Sequence, residues 1–323
     1  MEFGDYQRTA ALTSHARLES GGPQAALAPM LGLASKTGTI LNVYKKYLRD
    51  SIDLAANRAI LTEELGDELW YIAAVATACG LDLNSIAEAN LLRTRDRYHG
   101  EITVEDLSGL PSFDSEYPMT ERFPRKLVLS FIEADGSSGV RQARMVVVSA
   151  EPNAFPDGRV TSSDGKVLGF QVGGGLGDPL TDNSRQPDNY RYHDAIHLGF
   201  MAVLGWSPNT RSLLKLKRKS DQATDECEDG ARAVFAEEGL AAVLSRLAKR
   251  RLGFLTELSV DGEVIEVAKA AVTDLEVDAM PSWLWRRAIS QGFSALKQLA
   301  DNEGGYLTAD LDARTLTYAK MPT

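Results

Sequence analysis

The sequence predicts a mainly α-helical protein with α+β decoration, in which antiparallel helical bundles carry a small antiparallel β insertion. Apolar residues recur at helical spacing through residues 23–98, and helical patterns return after residue 190. Between these regions, clusters of Pro, Gly, Ser and Asp separate short β-rich runs. The 323 residues, of which 44% are hydrophobic, are enough to fill a sizeable core.

These changes in residue pattern and composition predict three segments. Residues 1–100 form a helical unit, residues 101–189 form a β-rich insertion or linker, and residues 190–323 form a second helical unit with short C-terminal strands. The short joint between the helices of the first unit predicts an antiparallel pair.

In the first segment, five apolar residues recur at helical spacing and lie on one face of a predicted helix: Leu65, Leu69, Ile72, Ala73 and Ala76. A capping box of Ser85 and Glu88, after a break at Gly80, predicts the start of the next helix. Strands are predicted at 126–132 and 144–148, at 254–270 around a turn, and at 306–318 around a second turn. Further helices are predicted at 193–204, 209–215, 227–250 and 281–300.

Composition excludes several classes of protein. A net charge of -10 and a pI near 5.0 argue against a protein that coats nucleic acid, because phosphate backbones bind basic surfaces. Cys79 and Cys227 are far apart and lack a metal-binding pattern, so neither a disulfide framework nor a zinc knuckle is expected. The sequence contains no apolar run that spans a membrane and no signal-peptide pattern, which favours the cytoplasm.

An acidic pair is the first candidate site. Glu64 and Asp67 are three positions apart, so they project from one helix face and can share a hard cation such as Mg²⁺. A basic helix containing Lys45, Lys46 and Arg49 lies upstream and suits a phosphate ligand. The alternative is that the acidic residues form a solvated helix face.

The residues around this pair form a longer pattern. Glu63-Glu-Leu-Gly-Asp67 leads into Leu69-Trp-Tyr71, and Ile86-Ala-Glu-Ala-Asn90 is followed by Arg93 and Arg97. Upstream lie Gly32-Leu-Ala34, Gly38 and the Lys45-Lys46 pair. Residues 30–98 thereby resemble the helical nucleotide-binding unit of the MazG-type nucleoside triphosphate pyrophosphohydrolases.

The resemblance implies an activity and a site. A magnesium-dependent enzyme, with Mn²⁺ as an alternative metal, would release pyrophosphate from a nucleoside triphosphate or a modified nucleotide. Glu64 and Asp67 would bind the metal, with Glu63 as a further catalytic carboxylate. The residues implied in substrate binding are Lys46, Asn90, Arg93 and Arg97. The resemblance also implies a homodimer, although the second helical half could serve as an internal partner.

The chain departs from the family at two positions. Members usually carry an E-x-x-E pair on the preceding helix, whereas Lys36 and Thr39 stand at the matching positions here. A lysine removes one anionic ligand and adds a cation, which should weaken magnesium binding. Either the site binds a nucleotide without hydrolysing it, as in a sensing or regulatory protein, or it recruits other acids such as Glu63 and Glu68.

A second candidate site, formed by histidines and carboxylates, lies in the C-terminal half. His193 and His197 are four positions apart on a predicted helix and share a face, with Asp194 beside them. Glu228 and Glu238, on the next long helix, are the carboxylates expected to face them. Three interpretations remain open: a structural cluster, a transition-metal site, or a histidine that acts as acid, base or phosphate contact. The third function hypothesis places the active site in this half of the chain.

Overall fold

The computed structural model describes residues 1–13, 23–50, 57–97, 104–136, 139–154, 160–161, 167–251, 256 and 259–321. The chain divides into two compact units, Met1–Arg95 and Asp96–Thr323. The prediction of a mainly helical protein with a small antiparallel sheet is confirmed. The second and third predicted segments, however, lie in one unit, because strands from both segments pair in the same sheet.

The first unit consists of helices. They are α1 (Phe3–Leu12), α2 (Pro23–Asp50), α3 (Arg58–Ala78) and α4 (Leu83–Arg97). The α3–α4 joint contains Gly80, whose φ of 67° is in the left-handed region that glycine tolerates. The predicted capping box is not used. Asp82 caps α4 instead, since its carboxylate accepts a 2.7 Å hydrogen bond from the backbone N–H of Ser85.

Small side chains and a glycine lie at contacts between the helices of this unit. Ala10, Ala73 and Leu83 form a small buried cluster. A Cβ at Gly32 would lie 2.1 Å from the ring of Tyr71, so a larger residue on α2 would require this side chain of α3 to move. The predicted apolar stripe is only partly covered, because Leu65 and Ile72 are exposed.

None of the described helices is by itself long and apolar enough to cross a membrane. Residues 58–78 of α3 and 83–91 of α4 are together long and apolar enough for a membrane span, but the chain bends by 111° between the two helices.

The second unit is built on a five-stranded antiparallel sheet. The strands are β1 (Lys126–Asp135), β2 (Arg141–Glu151), β5 (Gly175–Leu180), β6 (Gly304–Asp310) and β7 (Thr315–Ala319). Two short strands, β3 (Val160–Thr161) and β4 (Val167–Leu168), pair antiparallel in a separate sheet. The order across the large sheet is β5-β2-β1-β6-β7. Alternate residues of β1, including Leu127, Leu129 and Phe131, are buried beneath the helices.

The helices of this unit supply the rest of the core. They are α5 (Val104–Ser108), α6 (Asp194–Gly199), α7 (Pro208–Leu214), α8 (Gln222–Cys227), α9 (Ala231–Arg250), α10 (Gly262–Ala271) and α11 (Ser282–Asp301). A π-helical turn at Phe200–Leu204 extends α6, and α11 packs against both. Trp285 of α11 and Trp206 pack in the centre of the core.

Two predicted elements differ from the structure. The stretch predicted as strands at 254–270 is helical from Gly262, because Asp261 caps α10 by accepting a 3.2 Å hydrogen bond from the N–H of Val264. The helix predicted at 227–250 is interrupted at Gly230, where a Cβ would lie 2.1 Å from the carbonyl oxygen of Glu226. This break rotates the residues before it away from the periodicity of α9.

Candidate functional site

The acidic pair of α3 faces a lysine of α2. The Lys36 Nζ atom lies 3.1 Å from Glu64 Oε2 and 2.6 Å from Asp67 Oδ2. Hydrogen bonds to Asp67 and then Glu64 raise the pKa of Lys36 above its ordinary value, so the ammonium form is favoured. The two carboxylates therefore converge on one cation, as their spacing predicts, and the chain itself supplies that cation.

The other residues predicted for this site are less closely associated. Glu63, Lys46 and Asn90 are exposed on α3, α2 and α4. Arg93 and Arg97 belong to α4, but their side chains lie outside the described residues. Two further residues of the region make other contacts. Glu68 accepts a 2.7 Å hydrogen bond from Thr37, and the Thr39 hydroxyl donates to the Ser35 carbonyl at 3.3 Å.

The fit of this pair to magnesium depends on Lys36. Two carboxylates one helical turn apart are suitable oxygen ligands for a divalent cation that keeps water and phosphate as its other ligands. The Lys36 ammonium lies where such an ion would bind, so a metal would have to displace it.

A second cluster lies between α6 and α9. His193 precedes α6, His197 lies one turn further along, and Glu238 projects from α9. The His193 Nε2 atom lies 3.3 Å from Glu238 Oε1, and the His197 Nε2 atom lies 3.0 Å from Glu238 Oε2. The two imidazole rings are 5.5 Å apart at an interplanar angle of 76°. Both histidines are buried, whereas Glu238 is half-exposed.

Each histidine is held through its other ring nitrogen. The His193 Nδ1 atom lies 2.8 Å from the carbonyl oxygen of Tyr190, and the His197 Nδ1 atom lies 2.8 Å from Glu237 Oε1. Glu237 is fully buried and also accepts hydrogen bonds from the Ser207 hydroxyl at 2.6 Å and the Asn209 backbone N–H at 2.8 Å. Glu237 is therefore part of the site.

The charges of this cluster are strongly coupled. Burial opposes a charged His197, but the adjacent Glu237 and Glu238 carboxylates outweigh burial and raise the pKa of the imidazole to about 10. Close contact with the His193 and His197 rings holds the pKa of Glu238 well below its usual range. Burial raises the pKa of Asp194, which lies in the same helical turn.

Glu228, the other carboxylate predicted here, lies in a different environment. It accepts a 3.1 Å hydrogen bond from the backbone N–H of Glu276. Nearby, the buried Arg218 guanidinium pairs with Asp229 at 2.7 Å and with Glu276 at 2.8 Å. Residues 211–219 include five basic residues, and two of them, Arg211 and Arg218, are buried in ion pairs of the core.

A family model described as the MazG C-terminal domain matches residues 158–322, slightly more than half of the chain. The chain belongs to this family. The MazG C-terminal domain thus covers most of the second unit, including the His193, His197 and Glu238 cluster. The resemblance to MazG proteins predicted from residues 30–98 is consistent with this assignment.

Among curated proteins, the chain is similar to the Gene 37 protein of Mycobacterium phage L5. The two are 36% identical over 69 residues, which is 21% of this MazG C-terminal domain protein and 60% of the phage protein. The alignment therefore spans less than two thirds of that relative. No solved structure matches the chain.

Proposed function

We propose that this protein is a nucleotide pyrophosphohydrolase that releases pyrophosphate from a nucleoside triphosphate or a modified nucleotide. The observation that carries the proposal is the convergence of Glu64 and Asp67 on a single cation position. Membership of the MazG C-terminal domain family supports the same class of activity. Following the resemblance, the metal is Mg²⁺, with Mn²⁺ as the alternative.

The residues of the first unit have distinct proposed roles. Glu64 and Asp67 would hold the metal, which supplies charge neutralisation and an activated water when bound. The remaining residues carried over from the resemblance have supporting roles: Glu63 as an additional carboxylate, and Lys46, Asn90, Arg93 and Arg97 as substrate contacts. Once separated from the two carboxylates, Lys36 would be a further cation available to a phosphate group.

The test is pyrophosphate release from a panel of nucleoside triphosphates in the presence of Mg²⁺. We expect Glu64→Gln and Asp67→Asn to lower the rate on the order of 100-fold, because each removes a charged metal ligand. Glu88→Gln, at an exposed carboxylate of α4, is the matched control and should retain the rate. Absence of pyrophosphate with every triphosphate, or an unaffected Glu64→Gln variant, would contradict the proposal.

A second candidate function is nucleotide sensing, in which the first unit binds a nucleotide without hydrolysing it. The Lys36 ion pairs favour it, because the ammonium neutralises the carboxylates that a metal requires. The sensing hypothesis predicts that the wild-type protein binds a non-hydrolysable triphosphate in calorimetry but releases no pyrophosphate. Lys36→Glu should then gain hydrolysis. If the wild-type protein is already active and Lys36→Glu changes nothing, this candidate is wrong.

We also propose that the first unit forms a homodimer. Exposed apolar side chains recur along α2 at Leu41, Tyr44 and Leu48, and they border a shallow groove. Exposed apolar stripes of this kind are typical of helices that pack against a partner.

A further inference from the structure

The His193, His197 and Glu238 side chains have an arrangement that the proposed magnesium chemistry of the first unit does not use. One nitrogen from each histidine and one carboxylate oxygen lie within 4.8 Å of one another. Two ligands that are each about 2.1 Å from a tetrahedral ion lie roughly 3.4 Å apart. The distances of 3.3 Å and 3.0 Å from the two Nε2 atoms to the Glu238 oxygens are close to that separation.

Both histidines use the Nδ1 atom for a hydrogen bond, which leaves the Nε2 atom of each ring available to bind a metal. A backbone carbonyl can only accept, so the His193 Nδ1 atom donates to Tyr190, and the Nε2 atom of a neutral ring keeps its lone pair. The His197 Nδ1 atom likewise donates to the Glu237 carboxylate. A histidine that binds a metal usually donates its other ring N–H to a carboxylate or carbonyl oxygen. This hydrogen bond fixes the orientation of the ring and makes the metal-binding nitrogen more basic.

Burial distinguishes the cluster from a surface ion pair. The His197 side chain is 2% exposed, and its Nε2 atom has no hydrogen bond of acceptable geometry although Glu238 lies 3.0 Å away. Buried polar atoms normally have a partner, so this nitrogen calls for an explanation. Glu238 is 46% exposed, which leaves one side of the cluster open to solvent.

We propose that His193 Nε2, His197 Nε2 and the Glu238 carboxylate form a binding site for a divalent transition metal, with zinc as the best match. Imidazole nitrogens favour zinc and related first-row metals over magnesium. Three protein ligands with an opening to solvent are typical of a site that keeps a coordination position for water or substrate. Glu237 is a positioning residue that orients His197. Metal binding releases any proton held on His197 Nε2, since both occupy the same lone pair.

The full-length protein, stripped of metal with a chelator, tests this proposal when titrated with Co²⁺ and then with Zn²⁺. We expect one equivalent of Co²⁺ to produce the visible absorption of a low-coordinate cobalt site with nitrogen ligands, and Zn²⁺ to displace it. His193→Ala and Glu238→Gln should abolish this absorption. Glu237→Gln should weaken Co²⁺ binding by about 10- to 100-fold, because the outer support of His197 is lost.

Two controls make the result specific. The double substitution His15→Ala and His99→Ala removes the other two histidines of the chain and should leave cobalt binding unchanged. Glu64→Gln should also leave it unchanged, so failure of the pyrophosphohydrolase proposal would not affect this measurement. Circular dichroism establishes that each variant is folded, and Glu238→Gln provides the half-exposed position if a histidine variant unfolds.

The proposal is overturned if the folded wild-type protein takes up no Co²⁺ or Zn²⁺. It is equally overturned if His193→Ala and Glu238→Gln bind as the wild type does. In either case the cluster is a buried network of ion pairs that stabilises the packing of α6 on α9.

Discussion

At the scale of single residues, Lys36 determines how the charge of the α3 acidic pair is neutralised. Its ammonium contacts both Glu64 and Asp67, so the same two carboxylates cannot hold a metal until this contact is broken. The Lys36 side chain is partly exposed, so water screens the ion pairs and reduces their free energy. Competition between lysine and metal is therefore an equilibrium that a substitution can shift.

Lys36→Met should strengthen the binding of Mn²⁺ to the first unit by about 10-fold, since it removes the competing cation without adding a ligand. Mn²⁺ binding followed by electron paramagnetic resonance measures this, in a protein that also carries Glu238→Gln so that the second cluster does not contribute. Lys45→Met, at an exposed position of α2, is the control and should have no effect. If the protein binds Mn²⁺ equally well with and without the Lys36→Met substitution, the ion pairs do not limit metal binding.

Asp182 is a residue whose charge should govern acid stability. It accepts hydrogen bonds from the backbone N–H groups of Arg191 and Asp188, at 3.1 Å each, and pairs with the Arg191 guanidinium at 3.0 Å. Burial would raise the pKa of Asp182, but these contacts outweigh burial and lower the pKa below its ordinary value. Because the pKa is lower in the folded state, the stabilisation is complete above the pKa of the unfolded chain and is lost as the pH falls through the lowered folded-state pKa.

Asp182→Asn should therefore lower the free energy of unfolding at pH 7 by about 1–3 kcal/mol, because charge-assisted hydrogen bonds are lost. The difference between variant and wild type should shrink as the pH falls below about 4. Urea unfolding at several pH values measures both quantities. Asp178→Asn, at an exposed position of β5, is the comparison, and an equal loss of stability in both variants would contradict this role.

At the scale of elements, α6 and α11 approach more closely than ordinary side chains allow. A Cβ at Gly199 would lie 2.7 Å from the carbonyl oxygen of Ala288 and 3.0 Å from the Cα of Gly292. This contact fixes the position of α6, which carries His197. The distance between the two helices is thus set by glycines at the contact.

Gly199→Ala should lower the free energy of unfolding by about 1–3 kcal/mol, because the added methyl group overpacks a helix contact. Gly239→Ala is the matched control. Gly239 lies inside α9 with no atom within 4 Å of a Cβ built there, so alanine should stabilise the protein by about 0.5–1 kcal/mol through helix propensity. Urea unfolding gives both values, and the same sign of change in both variants would disprove the packing argument.

Local spacing predicted most elements of the second unit, and its failures have identifiable causes. Runs of β-favouring residues next to turn-forming residues predict the strands at 126–132 and 306–318, and the structure contains strands in both places. Residues 262–271 are rich in Val, Ile and Ala, a composition compatible with either a strand or a buried helix. The Asp261 cap and the packing of α10 on α9 and α11 favour the helix.

At the scale of the whole molecule, the two units differ in how they bury apolar residues. The second unit has a continuous core that combines the sheet with α6, α9 and α11. The described buried cluster of the first unit contains Ala10, Ala73 and Leu83, while large apolar residues of α2 remain exposed. Covering that surface would stabilise the first unit, in keeping with the proposed homodimer.

Light scattering combined with size-exclusion chromatography should give twice the chain mass of 35.1 kDa for the wild-type protein. The double substitution Leu41→Asp and Leu48→Asp should give the mass of a single chain, because it places charges on the apolar stripe of α2. Phe235→Asp removes an exposed apolar residue of the second unit and should remain dimeric. A monomeric wild-type protein, or a dimeric Leu41→Asp and Leu48→Asp variant, would refute the dimer.

The sequence by itself determined the features that depend on local geometry. Helical periodicity of 3.6 residues places Glu64 with Asp67, and His193 with His197, on one face each. Runs of β-favouring residues between turn-forming clusters predict the strands. Tertiary structure decided which residues meet these pairs. Lys36 reaches the acidic pair because α2 packs on α3, and Glu237 rather than Glu228 supports His197 because the chain breaks at Gly230 before α9 begins. Contacts between residues about 30 to 40 positions apart depend on how helices pack, and residue spacing along one helix carries no information about that packing.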